Sequence, residues 1–411
     1  MPEPAGMKSI RSLYKIGRGP SSSHTIGPER ATRQFRQAHP DAEAFRVTLY
    51  ESLCKTGKGH GTDRVLYEVL APLPTEVIFC EETPSDVTHP NTMDFAALRG
   101  GQVYDTARVL SVGGGDIQFA GQKEDAPEVY PENSFAEVEQ FCRFRSLDLA
   151  EYVEFNEGHD IWPFLADIWQ AMKKSVQDGL QAEGILPGGL KIERKAKMLY
   201  HHQDPGEVPQ VRECRIISSY AFAVSEQNAD CGTIVTAPTC GACGVIPAAL
   251  LYMQQQRSFT DEQMLPGLAV AGLIGNLIRH NASISGAEGG CQAEVGSASG
   301  MAAAALVYVM GGTPGQMAHA CAMALSNTLG LVCDPVAGLV EVPCVNRNVM
   351  GAVNALSCAE MALSGVESAI PCDEVIDAMR AVGDALPASL RETGSGGLAA
   401  TPTGRRLAER L

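Results

Sequence analysis

The stretch "GQKEDAPEVYPENS", residues 121–134, is polar and acidic, contains two prolines and separates two parts of the chain with different hydrophobic patterns. Proline and clustered polar residues between periodic segments are typical of a linker. Ser134 and Glu137, in "SFAE", form the capping-box pattern that predicts the start of a helix. We therefore predict one domain over residues 1–125, a linker over 126–133 and a second domain over 134–411.

The part before the linker mixes strand and helix patterns. "FRVTLYES" (45–52) alternates apolar and polar residues, which predicts a strand exposed on one face. "TEVIFCE" (75–81) and "DTARVLSVGGGDIQF" (105–119) are further strand candidates, and three glycines interrupt the second. "GPERATRQFRQ" begins at Gly27 and places Pro28 in the first turn of a helix. These patterns predict a small N-terminal α/β domain.

The part after the linker has helical patterns. Residues 164–180 are amphipathic, and "TDEQ" (260–263) and "TPGQ" (313–316) are capping boxes. Four more segments are rich in Ala, Leu, Met and Gly, whose small side chains allow helices to approach closely. These segments are 246–255, 264–279, 297–310 and 315–330. We predict a larger all-α domain over 134–411.

The composition disfavours several classes of partner. The 411 residues include 32 basic and 48 acidic ones, a net charge of −16, whereas nucleic-acid binding requires a basic surface. The most apolar stretches, 265–278 and 300–312, are shorter than the ~18–20 residues of a membrane helix. The N-terminus lacks an apolar leader pattern, so we expect a cytoplasmic protein whose 13 cysteines are reduced, catalytic or metal-bound.

Four polar, glycine-rich loops separate the apolar helices of the second part. Loops carry function more often than the helices they join, and glycine lets the backbone approach a ligand. The loops are "NADCGTIVTAPTCGACG" (228–244), "NASISGAEGGCQAEVGSASG" (281–300), "CDPVAGLVEVPCVNRN" (333–348) and "RETGSGGLAATPTG" (391–404). We expect these loops to line a site.

Two of the loops contain Cys291, Cys333 and Cys344. Three thiolates that leave a fourth position open are the ligand set of a [4Fe–4S] cluster that acts as a Lewis acid. The separations of 42 and 11 residues do not match a ferredoxin run. Spacing alone therefore favours ordinary buried cysteines, with a cluster as the alternative.

The motifs in both parts of the chain resemble those of the iron–sulfur L-serine dehydratases. In the second part the matching motifs are "GAEGGCQAEVG" (286–296), "CDPVAGLVEVPCVNRN" (333–348), "VTAPTCGACGVIPA" (235–248), "LPGGLK" (186–191) and "RETGSGGLA" (391–399). In the first part they are "KIGRGPSSSHTIGP" (15–28), "TGKGHGTD" (56–63), "HPNTM" (89–93) and "SVGGG" (111–115). The resemblance covers nearly the whole chain, with its motifs in a fixed order.

This resemblance implies an enzyme that converts L-serine into pyruvate and ammonia without pyridoxal phosphate. It implies that the helical domain holds an oxygen-labile [4Fe–4S] cluster through Cys291, Cys333 and Cys344. The substrate would be a small amino acid, and a homodimer is expected. A related β-elimination on L-threonine or L-cysteine, or a non-catalytic iron–sulfur or zinc redox sensor, remains an alternative.

The resemblance also implies that polar groups of the first domain contribute to the active site. The groups expected to be catalytic are His60, His89 and Ser111. The groups expected to bind substrate are His24, Thr62, Asn91 and Lys191. Which group removes the substrate proton stays open. Lys191 follows a Gly-Gly pair and could bind the substrate carboxylate, although a solvated lysine is the alternative.

Two features depart from the family pattern. Cys240 and Cys243 form a CxxC where the family usually has "TNGAAG". A CxxC suits zinc or a redox couple, but small residues in a tight turn are the favoured interpretation here. No cysteine follows Cys372. We therefore expect no tail cysteine at the cluster, and no separate amino-acid-sensing domain.

Overall fold

The computed structural model describes residues 6–121 and 128–411, which divide into two compact units. The smaller unit contains residues 17–121, and the larger unit contains residues 6–16 together with 128–411. Residues 126 and 127 of the predicted linker lie outside the described residues.

The described residues form nine strands, sixteen α-helices and several shorter turns. The strands are β1 (Met7–Lys8), β2 (Ile16–Arg18), β3 (Ala44–Leu49), β4 (Thr75–Phe79), β5 (Thr92–Arg99), β6 (Gln102–Gly113), β7 (Asp116–Phe119), β8 (Glu128–Tyr130) and β9 (Thr233–Val235). The α-helices are α1 (Gly27–Ala38), α2 (Glu51–Thr56), α3 (Thr62–Leu70), α4 (Phe135–Arg145), α5 (Leu149–Glu157), α6 (Ile161–Gln181), α7 (Ala196–His201), α8 (Pro209–Ala229), α9 (Val245–Arg257), α10 (Asp261–Asn281), α11 (Gly286–Gly289), α12 (Ser297–Val309), α13 (Pro314–Ser326), α14 (Cys344–Leu363), α15 (Cys372–Ala385) and α16 (Pro402–Ala408). The π-helices are Ser22–Ile26 and Gln292–Gly296. The 3-10 turns are Ile10–Ser12, Cys240–Ala242, Val336–Gly338, Ala388–Leu390 and Gly397–Ala400.

The smaller unit is built on a five-stranded sheet with the order β4-β3-β5-β6-β7. β3 pairs with β4 in parallel, and the other neighbours are antiparallel. Alternate residues of β3 are buried, as a strand covered on one face requires. Phe35 of α1 packs against Phe45 and Phe95 of the sheet, with ring centroids 6.0 and 5.2 Å apart. This unit has the α/β character that the sequence predicts.

The larger unit is a helical assembly around α10 and α12. Residues 297–307 of α12 are all buried, so this helix is surrounded by others. At Gly275 an added Cβ would come within 2.5 Å of Leu13, which shows how closely the packed elements approach. Among the described residues, no helix is both long and apolar enough to cross a membrane.

The larger unit differs from the predicted all-α domain in two respects. β1 and β8 form a short antiparallel pair, and β9 is a third strand. β8 occupies residues 128–130, which the sequence assigns to the linker. The reason is that the N-terminal segment supplies a pairing strand, which local patterns at 126–133 do not reveal.

The N-terminal residues 6–16 belong to the larger unit, whereas the sequence assigns them to the first domain. Ile10, Leu13 and Tyr14 are buried there, and the Tyr14 hydroxyl donates a hydrogen bond to the Leu268 carbonyl at 2.9 Å. Glu157 accepts a hydrogen bond from the Ile10 amide at 2.7 Å. These contacts attach the segment to α10 and α5.

Candidate functional site

Cys291, Cys333 and Cys344 are buried at the ends of loops in the larger unit. Cys291 follows Gly290, whose φ of +73° turns the chain sharply after α11. The Gln292 amide donates to the Leu331 carbonyl at 3.0 Å, which ties this turn to the segment before Cys333. Cys344 is the first residue of α14. The fold thus gathers three thiols from separate parts of the sequence.

The thiols of Cys291 and Cys333 are hydrogen-bonded to each other, and the Cys344 thiol interacts electrostatically with Cys291. The hydrogen bond with Cys291, together with burial, raises the pKa of Cys333. Burial, reinforced by Cys291, raises the pKa of Cys344. The raised pKa favours the protonated thiols of Cys333 and Cys344 in the absence of a metal, and a bound metal has to displace their protons.

Glu294 joins this group, although the sequence analysis does not name it. Its carboxylate and the thiols of Cys291 and Cys333 offer ligand atoms that all lie within 4.8 Å of one another. The Thr239 hydroxyl donates to Glu294 Oε1 at 2.7 Å. Added Cβ atoms at Gly241 and Gly286 would lie 2.8 and 2.5 Å from the carboxylate oxygens. Glycine at these two positions therefore leaves the space that the carboxylate fills.

Burial is the main cause that raises the pKa of the Glu294 carboxyl, and the Thr239 hydrogen bond opposes it. The signal in the sequence was its position in "GCQAEVG", three residues after Cys291 and at the start of a helical segment. Residues three apart in such a segment share a face.

Glu392 is a second carboxyl beside the cysteines, and the sequence analysis does not name it either. Its amide donates to the Cys333 carbonyl at 2.9 Å, and the Cys333 amide donates to the Leu390 carbonyl at 2.8 Å. Burial and the neighbouring Glu294 raise the pKa of Glu392 to about 8. Its backbone has φ +59°, a conformation that is uncommon outside glycine. The "RETGSGGLA" motif is therefore fastened to the Cys333 loop.

The CxxC forms a tight buried turn. The Cys243 amide donates to the Cys240 carbonyl at 3.2 Å across the turn Cys240–Ala242. Burial is the main cause that raises the pKa of Cys243. Within the described residues, the group of side chains that could hold a metal consists of Cys291, Glu294 and Cys333, so it includes neither cysteine of the CxxC, nor the predicted ligand Cys344. All thirteen cysteines are thiols rather than disulfides. The turn places Gly241 against Glu294, which favours the interpretation as a packed turn.

In the smaller unit, the candidate groups of the N-terminal motifs lie together. The rings of His24 and His60 have centroids 4.8 Å apart. The Thr62 hydroxyl donates to the His24 carbonyl at 2.5 Å, and the Thr25 hydroxyl donates to the His60 carbonyl at 2.9 Å. The two histidine loops are thus fixed to each other through their backbones.

His24 is held as a neutral imidazole. Burial lowers its pKa well below the usual value, His60 adds to this effect, and a hydrogen bond with Ser52 opposes it. Its Nε2 lies 3.0 Å from Ser52 Oγ, and its Nδ1 lies 3.0 Å from Ser23 Oγ. A neutral imidazole has one nitrogen that can accept a proton.

Asn91 and His89 lie just before β5, and they are close neighbours of Ser111 on the adjacent strand β6. The Ser111 amide donates to the Asn91 carbonyl at 2.9 Å, and the Asn91 amide donates to His89 Nδ1 at 3.1 Å. Ser111 Oγ and Asn91 Oδ1 are buried without a hydrogen-bond partner in the part of the chain that the structure describes. Buried polar atoms of this kind call for a partner such as a ligand or water.

Lys191 lies in the larger unit and is exposed, on a backbone with φ +58°. The preceding Leu190 packs with Val336 and Leu339 of the loop between Cys333 and Cys344. The backbone of "LPGGLK" therefore lies against this cysteine loop, while the Lys191 side chain points into solvent.

Comparison with known proteins shows to which family the chain belongs. The family described as "Serine dehydratase alpha chain" matches residues 91–399, and "Serine dehydratase beta chain" matches residues 9–77. The chain belongs to the serine dehydratase family. L-serine dehydratase 2 of Escherichia coli (strain K12) is 38% identical over 448 aligned positions, covering 96% of this chain and 98% of that protein. L-serine dehydratase of Mycobacterium tuberculosis (strain CDC 1551 / Oshkosh) is 39% identical, covering 95% and 97%.

A third relative aligns with a smaller share of this chain. The probable L-serine dehydratase alpha chain of Bacillus subtilis (strain 168) is 61% identical over 270 positions, 64% of this chain and 88% of that protein. In this serine dehydratase family member, the match to the alpha chain begins at residue 91, before β5. The single sheet of the smaller unit therefore combines β3 from the part that matches the beta chain with β5, β6 and β7 from the part that matches the alpha chain.

Proposed function

We propose that this chain is an iron–sulfur L-serine dehydratase, which converts L-serine into pyruvate and ammonia. The observation that carries this proposal is the group of three buried thiols, contributed by motifs of the serine dehydratase family. Relatives named L-serine dehydratase that align with nearly the whole chain support the same reaction.

The donor set fits a [4Fe–4S] cluster. Cysteine thiolates are the usual ligands of such clusters, and Cys291, Cys333 and Cys344 would hold it. When bound, a cluster with one iron free of protein ligands supplies a Lewis acid that assists departure of the serine hydroxyl. Burial of the three thiols keeps water away from the ligand bonds.

The reaction requires two changes in the substrate. A base removes the Cα proton, and the β-hydroxyl leaves with a proton as water. The aminoacrylate that remains tautomerises to an imine, and water hydrolyses the imine to pyruvate and ammonia. The chain must therefore supply a proton acceptor and a proton donor.

We propose that Glu294 holds and transfers a proton at its carboxyl. It is partly exposed and lies beside the ligand thiols, and burial of the carboxyl favours its protonated form at neutral pH relative to an ordinary glutamate. The Thr239 hydroxyl, at 2.7 Å from Oε1, fixes its orientation.

The groups of the smaller unit, together with Lys191 of the larger unit, remain proposals for the other roles. We propose His60, His89 and Ser111 as catalytic groups, and His24, Thr62, Asn91 and Lys191 as groups that bind substrate. The neutral state of His24 and the buried polar atoms of Asn91 and Ser111 support this assignment. The exposed ammonium of Lys191 has the charge needed for the substrate carboxylate.

The test is anaerobic reconstitution with iron and sulfide, followed by assay of the 2-oxo acid released from each amino acid. We expect pyruvate from L-serine at a higher kcat/KM than from L-cysteine, and higher than for release of 2-oxobutyrate from L-threonine. A reconstituted, iron-loaded protein that acts faster on L-threonine or L-cysteine would reassign the substrate.

We further propose that the protein is a cytoplasmic homodimer whose cluster is oxygen-labile. Light scattering under anaerobic conditions measures its mass, which is 43.6 kDa for one chain. A mass of one chain at micromolar concentration would exclude the dimer, and activity that persists after hours in air would exclude the lability.

A further inference from the structure

Arg347 lies one turn into α14 after Cys344, and its guanidinium contacts the segments that carry two other cysteines. Nη1 donates to Cys291 Sγ at 3.4 Å and to the Val332 carbonyl at 2.7 Å. Nη2 lies 2.7 Å from Asp334 Oδ1. Val332 and Asp334 flank Cys333, so one side chain links the surroundings of all three thiols.

Asp334 is buried, with 3% of its surface exposed, and it is held from the other side as well. Its Oδ2 accepts a hydrogen bond from the Leu398 amide at 2.7 Å. An added Cβ at Gly397 would lie 2.2 Å from that oxygen, so only glycine permits this approach. The C-terminal "GSGGLA" segment therefore fixes the carboxylate that fixes Arg347.

A buried ion pair of this kind is weak evidence for a contribution to stability, because its desolvation cost is comparable to its attraction. The geometry of the ion pair suits the positioning of groups around the thiols instead. The planar guanidinium directs its N–H groups at a sulfur, a carbonyl and a carboxylate in a fixed geometry, whereas an ammonium group is a point charge on a flexible stem. An N–H···S hydrogen bond and a positive charge beside a thiolate also stabilise added negative charge on a cluster.

We propose that Arg347 is a positioning residue for the cluster: held by Asp334, it orients Cys291 and sets the reduction potential of the cluster through its N–H···S hydrogen bond. This inference rests on the proposed cluster ligands. Asp334, the residue directly after a ligand cysteine, thereby connects the "GSGGLA" segment to Cys291 through Arg347.

The experiment compares Arg347→Gln, Arg347→Lys and Asp334→Asn with the wild-type chain after anaerobic reconstitution. The matched control is Arg143→Gln, which removes an exposed arginine that pairs with Glu139 at 3.1 Å. The measurements are iron and sulfide content, the midpoint potential in a dye-mediated titration, and the rate of iron loss to a chelator.

We expect Arg347→Gln to incorporate a cluster, since the three cysteines remain, but with a more negative midpoint potential. Iron loss should be ~10–100-fold faster, the usual effect of removing a partner of a metal ligand. Asp334→Asn should shift the potential in the same direction, Arg347→Lys should fall between Arg347→Gln and wild type, and Arg143→Gln should match wild type.

Equal potentials and equal rates of iron loss in Arg347→Gln and wild type would overturn the inference. If Arg347→Gln does not fold, unchanged potentials in both Arg347→Lys and Asp334→Asn would overturn it. A wild-type chain that takes up no iron would instead contradict the proposed cluster, so the two failures are distinguishable.

Discussion

At the scale of single residues, Cys291, Cys333 and Cys344 are separated in sequence, and a backbone hydrogen bond from Gln292 to Leu331 joins the segments around the first two. The loop between Cys333 and Cys344 turns at Ala337 and Gly338, with φ of +56° and +72°. Motif resemblance alone selects the three ligand cysteines. Glu294 lies three residues after Cys291 and Arg347 lies three residues after Cys344, but only the fold shows that these two side chains lie beside the cysteine thiols.

Replacing a ligand cysteine should remove the cluster. We expect Cys333→Ala and Cys344→Ala to retain little iron and no dehydratase activity, because two thiolates cannot hold the cluster. Cys240→Ala, a matched change at another buried cysteine, should keep most of the iron and most of the dehydratase activity. Iron, sulfide and pyruvate assays measure this. An inactive Cys240→Ala together with an active Cys333→Ala would show that the ligand assignment is wrong.

The Glu294 carboxyl should matter for the rate rather than for folding. Glu294→Gln keeps the shape and can still accept from Thr239, but it cannot transfer a proton. We expect kcat to fall by ~10²–10⁴-fold, the usual contribution of an acid–base group, at unchanged iron content. Glu288→Gln, in the same loop but bonded to Ser283, is the control. A kcat within a factor of two of wild type would exclude this role.

The neutral His24 should make stability depend on pH. The unfolded chain binds a proton at this residue near pH ~6.5, whereas burial lowers the folded-state pKa well below that value. The free energy of unfolding therefore falls by up to about 1.4 kcal/mol per pH unit as pH falls below ~6.5. His24→Asn should lose less unfolding free energy than wild type, measured by urea unfolding, between about pH 7 and about pH 5, a range that includes that pKa.

The exposed His159, paired with Glu154, offers the control. His159→Asn should change the slope of stability against pH less than His24→Asn does, because the His159 side chain is exposed to solvent in the folded chain. Parallel curves for His24→Asn and wild type would contradict a buried neutral His24.

At the scale of elements, the cap signals and small-residue segments predict most of the helices. Thr260 and Thr313 form complete capping boxes with Gln263 and Gln316, as expected. Ser134 accepts from the Glu137 amide, but the Glu137 carboxylate accepts from Asn133 instead, so this box is only half formed. Local patterns predict where these helices begin, because capping hydrogen bonds join residues only three positions apart.

Five strands, β1, β2, β5, β8 and β9, are not predicted from the sequence, and β5 and β8 show why. β5 is the central strand of its sheet, and its buried positions do not alternate cleanly with polar residues. β8 pairs with β1, more than 100 residues away in sequence, so nothing nearby indicates it. The predicted strands 75–81 and 105–119 correspond to β4 and to the β6–β7 hairpin, where alternation or glycine turns are local.

Close packing of α10 makes a specific prediction. An added Cβ at Gly275 would meet Leu13 and Met301 within 2.8 Å, whereas at Gly315 of α13 the nearest atom is 4.0 Å away. Gly275→Ala should therefore cost about 1–3 kcal/mol of unfolding free energy. Gly315→Ala should be neutral or stabilise by up to about 1 kcal/mol. Thermal melting of both variants measures the difference, and equal melting temperatures would contradict the packing.

At the scale of the whole molecule, resemblance of motifs in fixed order predicts the family, and the comparisons confirm it. The acidic composition disfavours nucleic acid as a partner, but it does not indicate which reaction the protein catalyses. Domain boundaries are harder to predict from the sequence. The N-terminal residues 6–16 pack in the larger unit, whereas the residues after them form the smaller unit. A division of this kind depends on contacts between distant segments.

The most direct test of the proposed cluster site is the iron and sulfide content of the reconstituted wild-type chain. It should be compared with a variant in which Cys291, Cys333 and Cys344 are all alanine. We expect about four iron and four sulfide per wild-type chain and almost none in the variant. Equal iron and sulfide in the two proteins would contradict the assignment and move the metal site to other residues.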